Sequence, residues 1–340
     1  MAATMKDIAK KTGLGLATVS SYFNGGNVRE KNRAKIEVAI RELDFEVNEV
    51  ARGLKTNTTR TIGVVIPELN NVFCSEIITA MEDVLRSHGY ATMICDCRTD
   101  RRLEREAVEF LMRRRVDGIV NMPVDTSGAH LESFLKSGRP VVLIDRKIRA
   151  LNCDCVFVDN LTAARNAVSG LIRNGHRRIG IISGPEDVFT AQERLKGYRQ
   201  MLQESGIEID ERLIFRGDYT MESGVRGLEH LVQENPDMTA VFATNYELTM
   251  GAVIGANEVG IRIPEALSVI GFDNLPFARA CHPKLTIVTQ PTAEIGRQVA
   301  EIILERLSNG TGSCANQAGN EPIYRKLQTK VVEGNSVRRL

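Results

Sequence analysis

The strongest constraint on this chain is a repetition. Arg60-Thr61-Ile62-Gly63-Val64-Val65-Ile66 returns as Arg177-Arg178-Ile179-Gly180-Ile181-Ile182-Ser183. Gly118-Ile119-Val120, leading to Asn121, returns as Ala240-Val241-Phe242, leading to Asn245. Val141-Val142-Leu143-Ile144-Asp145 returns as Ser268-Val269-Ile270-Gly271-Phe272-Asp273. The apolar runs at 61–66, 91–95, 118–122 and 141–144 predict strands, and the amphipathic stretches at 73–88, 103–114 and 129–136 predict helices between them. Strands that alternate with helices build a parallel sheet covered on both faces. The repetition therefore predicts two similar doubly wound α/β subdomains, changing over near Asp159-Asn160, and 340 residues leave room for both.

What precedes the first repeat is helical. Thr4 with Asp7 three residues on predicts a capping box at a helix start. Gly13 ends that helix, and a second carries Val19, Tyr22 and Phe23 on one stripe before Asn24-Gly25-Gly26. A third, from about 31 to 44, places Ile36, Ala39, Ile40 and Leu43 at helical spacing. Two short helices about a glycine turn, with a third burying them, have the grammar of a helix-turn-helix. Residues 1–60 hold eleven Lys/Arg against seven Asp/Glu, whereas the rest of the chain is mildly acidic, so the head is the part suited to a polyanion.

Several functions are excluded or disfavoured by what the residues lack. No apolar run is long enough to span a membrane, and the N-terminus lacks the apolar core of a secretory signal. Seven cysteines, an odd number, then point to reduced thiols and a cytoplasmic protein. There is no Gly-x-Ser-x-Gly elbow, His-Glu-x-x-His or P-loop, so no enzyme is expected. Cys95-x-Cys97 and Cys153-x-Cys155 fall on opposite edges of a sheet ordered 2-1-3-4-5, about 19 Å apart at about 4.8 Å per strand, so no metal site is expected. No cofactor is called for. Ligands of doubly wound sheets bind beyond the carboxyl ends of the strands. Asp145, Ser183, Asn245 and Asp273 end strands at equivalent places, each as a helix cap or, together, as one face of a cleft.

Lys6-Asp7-Ile8-Ala9-Lys10-Lys11-Thr12-Gly13, Ala17-Thr18-Val19-Ser20 and Asn48-Glu49-Val50-Ala51-Arg52-Gly53-Leu54-Lys55 resemble the lactose/galactose repressor (LacI–GalR) family. So do Arg115-Val116-Asp117-Gly118-Ile119, Gly175-His176-Arg177-Arg178-Ile179-Gly180, Arg194-Leu195-Lys196-Gly197-Tyr198, Ile270-Gly271-Phe272-Asp273-Asn274 and Gln290-Pro291, in the family's order along nearly the whole chain. The resemblance implies a homodimeric transcriptional repressor that binds a palindromic double-stranded DNA operator under the control of a small molecule. It implies a body like that of periplasmic sugar-binding proteins, in which the chain crosses between subdomains three times.

Four parts follow from it: a helix-turn-helix head at 1–47, a hinge helix and linker at 48–60, an N-terminal effector-binding subdomain at 61–159 and 291–320, and a C-terminal one at 160–290 and 321–340. Leu16, Ala17, Thr18 and Ser21 would face the major groove. The apolar pair suits thymine methyls, and Ser21 offers a single short hydrogen bond. Leu54 would wedge into the minor groove, with Arg52 and Lys55 as positive charge beside it. Phe73, next to Val72, with Asp145, Arg146, Thr190, Arg194, Tyr219, Asn245, Asp273 and Gln290, would hold the effector. Aromatic faces among directional donors and acceptors suit a sugar or sugar derivative, with a nucleoside or nucleobase as the alternative and, behind both, a solute-binding protein without a regulatory role. Tyr246, where the family has Asp, puts the helix cap after Asn245 in question. The tail at 333–340 is short, basic and without leucine heptads, which implies a dimer and no tetramer coiled coil.

Overall fold

The computed structural model describes residues 3–23, 25–45, 58–310 and 321–340. They form two compact units that divide between Thr59 and Arg60. In the first unit, helices Met5–Thr12 (α1), Leu16–Phe23 (α2) and Glu30–Glu42 (α3) close over Ile8, Val19, Val28, Ile36 and Ala39. The Asp7 carboxylate accepts the Thr4 backbone N–H at 2.9 Å and the Thr4 hydroxyl at 2.7 Å, which fixes the start of α1. Gly13 ends α1 at φ 67°, a left-handed position that glycine takes without a Cβ clash.

The second unit holds two six-stranded sheets of one design. In the first, Thr61–Ile66 (β1), Ala91–Asp96 (β2), Gly118–Asn121 (β3), Val141–Ile144 (β4), Asp154–Val158 (β5) and Tyr324–Leu327 (β11) lie in the order β2-β1-β3-β4-β5-β11, all parallel. In the second, Ile179–Ser183 (β6), Ile214–Arg216 (β7), Ala240–Ala243 (β8), Ser268–Phe272 (β9), Thr286–Thr289 (β10) and Lys330–Val332 (β12) lie in the order β7-β6-β8-β9-β10-β12. Only β12 runs antiparallel. The repeated sequence runs occupy corresponding strands, β1 with β6, β3 with β8 and β4 with β9.

Helices cover both faces of each sheet. Val72–Ser87 (α4) and Thr292–Ser308 (α12) seal one apolar cluster of the first lobe, and Arg101–Arg113 (α5) with Glu132–Lys136 (α6) seal the other. Asn160–Arg173 (α7) and Phe189–Glu204 (α8) cover one face of the second sheet, and Met221–Glu234 (α9) with Tyr246–Glu258 (α10) the other. The short helix Leu275–Ala280 (α11) follows β9. Both sheets read as continuous apolar runs because their central strands are buried on both sides.

The chain passes between lobes after β5, after β10 and after β11. The last crossing corrects the boundary expected at 320/321. Residues 324–327 extend the first sheet, with Tyr324 opposite Cys155 and Leu327 opposite Val158, so the crossing falls between Leu327 and Lys330. The cause is a buried ion pair. Arg306 on α12 donates to both oxygens of Asp154 on β5, at 2.9 and 2.8 Å, and also to the Glu321 carbonyl at 2.8 Å. Asp154 accepts the Ile323 N–H as well, at 2.8 Å, which lays the returning chain beside β5.

The tail, expected only as a short basic end, is built into the second lobe. The buried Ser336 hydroxyl donates to the Val269 carbonyl at 2.6 Å, and the Leu340 N–H reaches the Asn174 carbonyl at 2.8 Å. The His176 imidazole sits between the Thr239 hydroxyl at 2.9 Å and the Arg338 carbonyl at 3.1 Å.

Two outcomes test these anchors. Arg306→Met leaves a fully buried carboxylate without its cation, at a cost of about 3–5 kcal/mol, read from the urea midpoint at pH 7.5. Desolvation holds the His176 pKa below its ordinary value, so the unfolded chain takes up the proton first. Stability should therefore fall as pH drops below about 6.5, and His176→Gln should show a smaller fall between pH 7.5 and 5.5.

Candidate functional site

In the head, α2 starts without a side-chain cap, since Gly15 offers only its carbonyl, accepting the N–H of Thr18 at 2.9 Å and of Val19 at 3.2 Å. Val19 turns inward, while Leu16 (45% exposed) and Ala17 face solvent. Thr18 and Ser21 are half-buried. The Ser21 hydroxyl lies over Gly26, in space that a Cβ there would fill, and the Ser21 carbonyl accepts the Gly26 N–H at 2.8 Å. Leu16 and Ala17 are thus the accessible part of the expected reading face. Arg52, Leu54 and Lys55 lie outside the described residues.

In the body, the two repeats place two aspartates in the same local geometry. Asp145 follows β4 at φ 64° and Asp273 follows β9 at φ 62°. Their N–H groups bond to Val156 of β5 at 2.9 Å and to Val288 of β10 at 2.7 Å, respectively. A left-handed conformation at a non-glycine residue is costly and tends to mark a functional position. In both, the next strand fixes the backbone that carries the carboxylate.

Their surroundings differ. Asp145 Oδ2 lies 3.7 Å from Arg146 Nε, and its buried Oδ1 has no hydrogen-bond partner among the described residues. Arg146 is anchored through Nη1 to the Pro123 carbonyl at 3.2 Å. Asp273 receives Gln290 Nε2 on both oxygens, at 3.1 and 2.9 Å, leaving Gln290 Oε1 buried and unpartnered. Burial pushes the Asp273 carboxyl up to about 7, against the pull of the nearby Arg194 cation.

Arg194 is only 3% exposed. Its Nε donates to Asn160 Oδ1 at 2.8 Å, its Nη1 to the Thr244 carbonyl at 2.5 Å, and its guanidinium carbon sits 3.8 Å from the centre of the Phe272 ring. On the same helix, buried Thr190 lies with its hydroxyl 3.4 Å from the Tyr219 hydroxyl. Tyr219, at φ 66°, lays its ring on Gly184, where any Cβ would collide with it. One face of that ring is therefore covered.

Asn245 is a helix cap. Its Oδ1 accepts the Leu248 N–H at 2.8 Å, so Tyr246 does not disturb the start of α10. That bond uses one of the two lone pairs of Oδ1, and Nδ2 lies 3.5 Å from the Tyr219 carbonyl.

A cavity of about 360 Å³ joins the lobes, lined by Val72, Phe73 and Glu76 from the first and Asp273, Asn274 and Gln290 at the far side. It gathers Phe73, Asp273 and Gln290, whereas Asp145, Arg146, Thr190, Arg194, Tyr219 and Asn245 do not line it. Sequence reasoning passed over Asn160, Thr244 and Glu76, which bonds to the Thr292 hydroxyl at 2.8 Å. The Asp159-Asn160 changeover could have pointed to Asn160. The Thr244 contribution is a backbone carbonyl, which leaves no trace in residue type.

Residues 4–48 match the model of bacterial regulatory proteins of the lacI family, and residues 59–324 match that of periplasmic binding proteins and the sugar-binding domain of the LacI family. The HTH-type transcriptional repressor CytR of Escherichia coli K12 is 36% identical over 320 residues, spanning 92% of this chain and 93% of that protein. Catabolite control protein A of Priestia megaterium is 33% identical, over 92% and 94%. Among solved structures, a complex of the transcriptional regulator CelR with cellobiose matches with a TM-score of 0.73 at 30% identity, over 98% and 99%. The lac repressor dimer bound to operator and the anti-inducer ONPF matches the fold with a TM-score of 0.85 at 24% identity, over 99% and 100%.

Among the described residues no helix is long and apolar enough to cross a membrane. One electrostatic feature of the body opposes its compact state. Burial, and then the charges of Glu68 and Glu222, push the Glu247 carboxyl up to about 6. Ionised Glu247 therefore destabilises the fold at neutral pH. Glu247→Gln should raise the melting temperature by about 1–2 °C at pH 7.5. The gain should vanish near pH 5, where the native carboxyl already holds its proton.

Proposed function

The chain belongs to the LacI family and is a DNA-binding transcriptional regulator, and from that premise we propose a repressor whose operator affinity is set by a sugar or sugar derivative held between its two lobes. The observation that carries this reading is the pair of aspartates at equivalent strand ends, accompanied by unpartnered acceptors at Asp145 Oδ1 and Gln290 Oε1. Buried acceptors without donors call for a ligand that brings its own O–H groups. Phe73 offers an apolar face to the ring, and Arg194 a fixed cation. The cellobiose complex of CelR and the relative named ribose operon repressor favour a sugar. A nucleoside is the second reading, since it presents the same hydroxyls and a flat base for Phe73.

On the DNA side, Leu16, Ala17, Thr18 and Ser21 face the major groove of each half of a palindromic operator. Arg52, Leu54 and Lys55 act in the minor groove, in a homodimer. The effector acts by its unequal affinity for two lobe arrangements. A coupling of about 1–3 kcal/mol changes operator affinity roughly five- to 150-fold.

A thermal-shift screen over sugars, sugar acids, sugar phosphates and nucleosides identifies the effector, and a mobility shift on a palindromic operator fragment reads the response. Asp273→Ala should make operator affinity indifferent to the compound found. A full response retained in that variant removes Asp273 from the site. Because ionised Asp273 is the better acceptor, effector affinity should weaken as pH falls through 7, and Asp273→Asn should abolish that dependence. Leu54→Ala should weaken operator binding far more than binding to random DNA, and equal losses count against the wedge.

A further inference from the structure

At the turn between β6 and α8, Asp187 and the first helical residue, Phe189, reach out of their own lobe. Asp187 Oδ2 lies 2.6 Å from Arg101 Nη2, in the first turn of α5 on the other lobe. Two residues on, Phe189 packs with the apolar cluster beneath α5 and α6, although its own helix belongs to the second lobe. Its ring meets Phe157 of β5 edge to face, with centroids 6.5 Å apart and planes at 79°. Within its own lobe the turn is held by the Val188 N–H on the Pro185 carbonyl at 3.2 Å and by Gln192 Nε2 donating to the Glu186 carbonyl at 2.7 Å, while Val188 caps α8 without a side-chain hydrogen bond. From that turn Asp187 and Phe189 are directed outward to the other lobe.

The consequences run along one helix. Phe189 is followed by Thr190, bonded to Tyr219, and one turn later by Arg194, clamped to Asn160 and Thr244. A rigid helix that carries all three cannot leave the first lobe without withdrawing Phe189 from its cluster. The Arg101–Asp187 pair is more than half exposed on both sides, so it contributes little alone and orients the segment for Phe189.

We propose that Phe189 is a positioning residue: its insertion into the first lobe, guided by Arg101 and Asp187, fixes the angle between lobes and so sets the operator affinity from which the effector response starts. This rests on the reading that lobe arrangement controls operator binding.

The test uses the full, effector-free chain. Hydrogen–deuterium exchange follows the first-lobe peptides around Arg101 and Phe157, and a mobility shift follows operator binding. Phe189→Ser should speed exchange in those first-lobe peptides about fivefold and change operator Kd about threefold, while Phe189→Leu stays within about twofold of wild type on both. Asp187→Arg, a surface change that spares the fold, should move both readouts in the same direction as Phe189→Ser. Pairing it with Arg101→Glu should restore them. First-lobe exchange unchanged in Phe189→Ser overturns the contact. Altered exchange with unaltered operator binding overturns its regulatory role. A charge-swapped pair that fails to restore overturns the part given to Arg101 and Asp187. A wild-type chain that ignores operator DNA sinks the repressor reading and leaves the exchange arm to judge the contact separately.

Discussion

The second lobe is organised around a cation that has been withdrawn from water with no carboxylate bonded to it among the described residues. Arg194 is held by an amide oxygen, a backbone carbonyl and the face of Phe272. An unpaired buried charge is costly, and neutral dipoles offset only part of that cost. What remains is met at longer range by Asp273, whose own carboxyl is lifted by burial and pulled down by this guanidinium. Burial lifts the Asp273 carboxyl, the guanidinium and Gln290 pull it down, and the charge of Asp145 raises it again.

Duplication explains why such a site arises between lobes rather than within one. Each repeat ends its fourth strand in an aspartate whose N–H is tied to the fifth strand. Placing two such lobes face to face sets their strand ends against each other, and the identical backbone trick yields two different environments. Asp145 keeps an unpartnered oxygen beside Arg146, whereas Asp273 is covered by Gln290. Equivalent sequence positions therefore end in chemically unequal surroundings, and of the two aspartates Asp273 lines the cavity between the lobes.

Much of this architecture was legible in the residues. The apolar runs marked strands because strands buried on both faces tolerate little else, and the Thr4–Asp7 pair and Gly13 marked helix ends through local chemistry. Of the strand-end residues Asp145, Ser183, Asn245 and Asp273, Asp273 lines the cavity between the lobes. Less legible were features that depend on distant partners. β11 has a polar, exposed sequence, and it joins the first sheet because Asp154, about 170 residues earlier, captures the Ile323 N–H. Asn245 was expected as a helix cap or a ligand contact, and the structure shows the cap, its Oδ1 accepting the Leu248 N–H. Asn160 looked like a linker residue, yet it steers Arg194. Phe189 carried no pattern at all, since its neighbour lies across a gap that only tertiary structure defines.

The three passages between lobes also bear on how the molecule is made. The core of the first lobe lacks one wall until α12 has been synthesised, and α12 follows every parallel strand of the second. The second sheet in turn receives β12 and residues 336–340 only after all of its parallel strands have been made. The head folds on contacts close in sequence, within its own first 45 residues. The lobes depend on pairings that span most of the chain, and such long-range topology slows folding and prolongs exposure of unfinished edges. Birth on the ribosome thus proceeds from the part that grips nucleic acid to the part that restrains it, and the two lobes reach completion almost together.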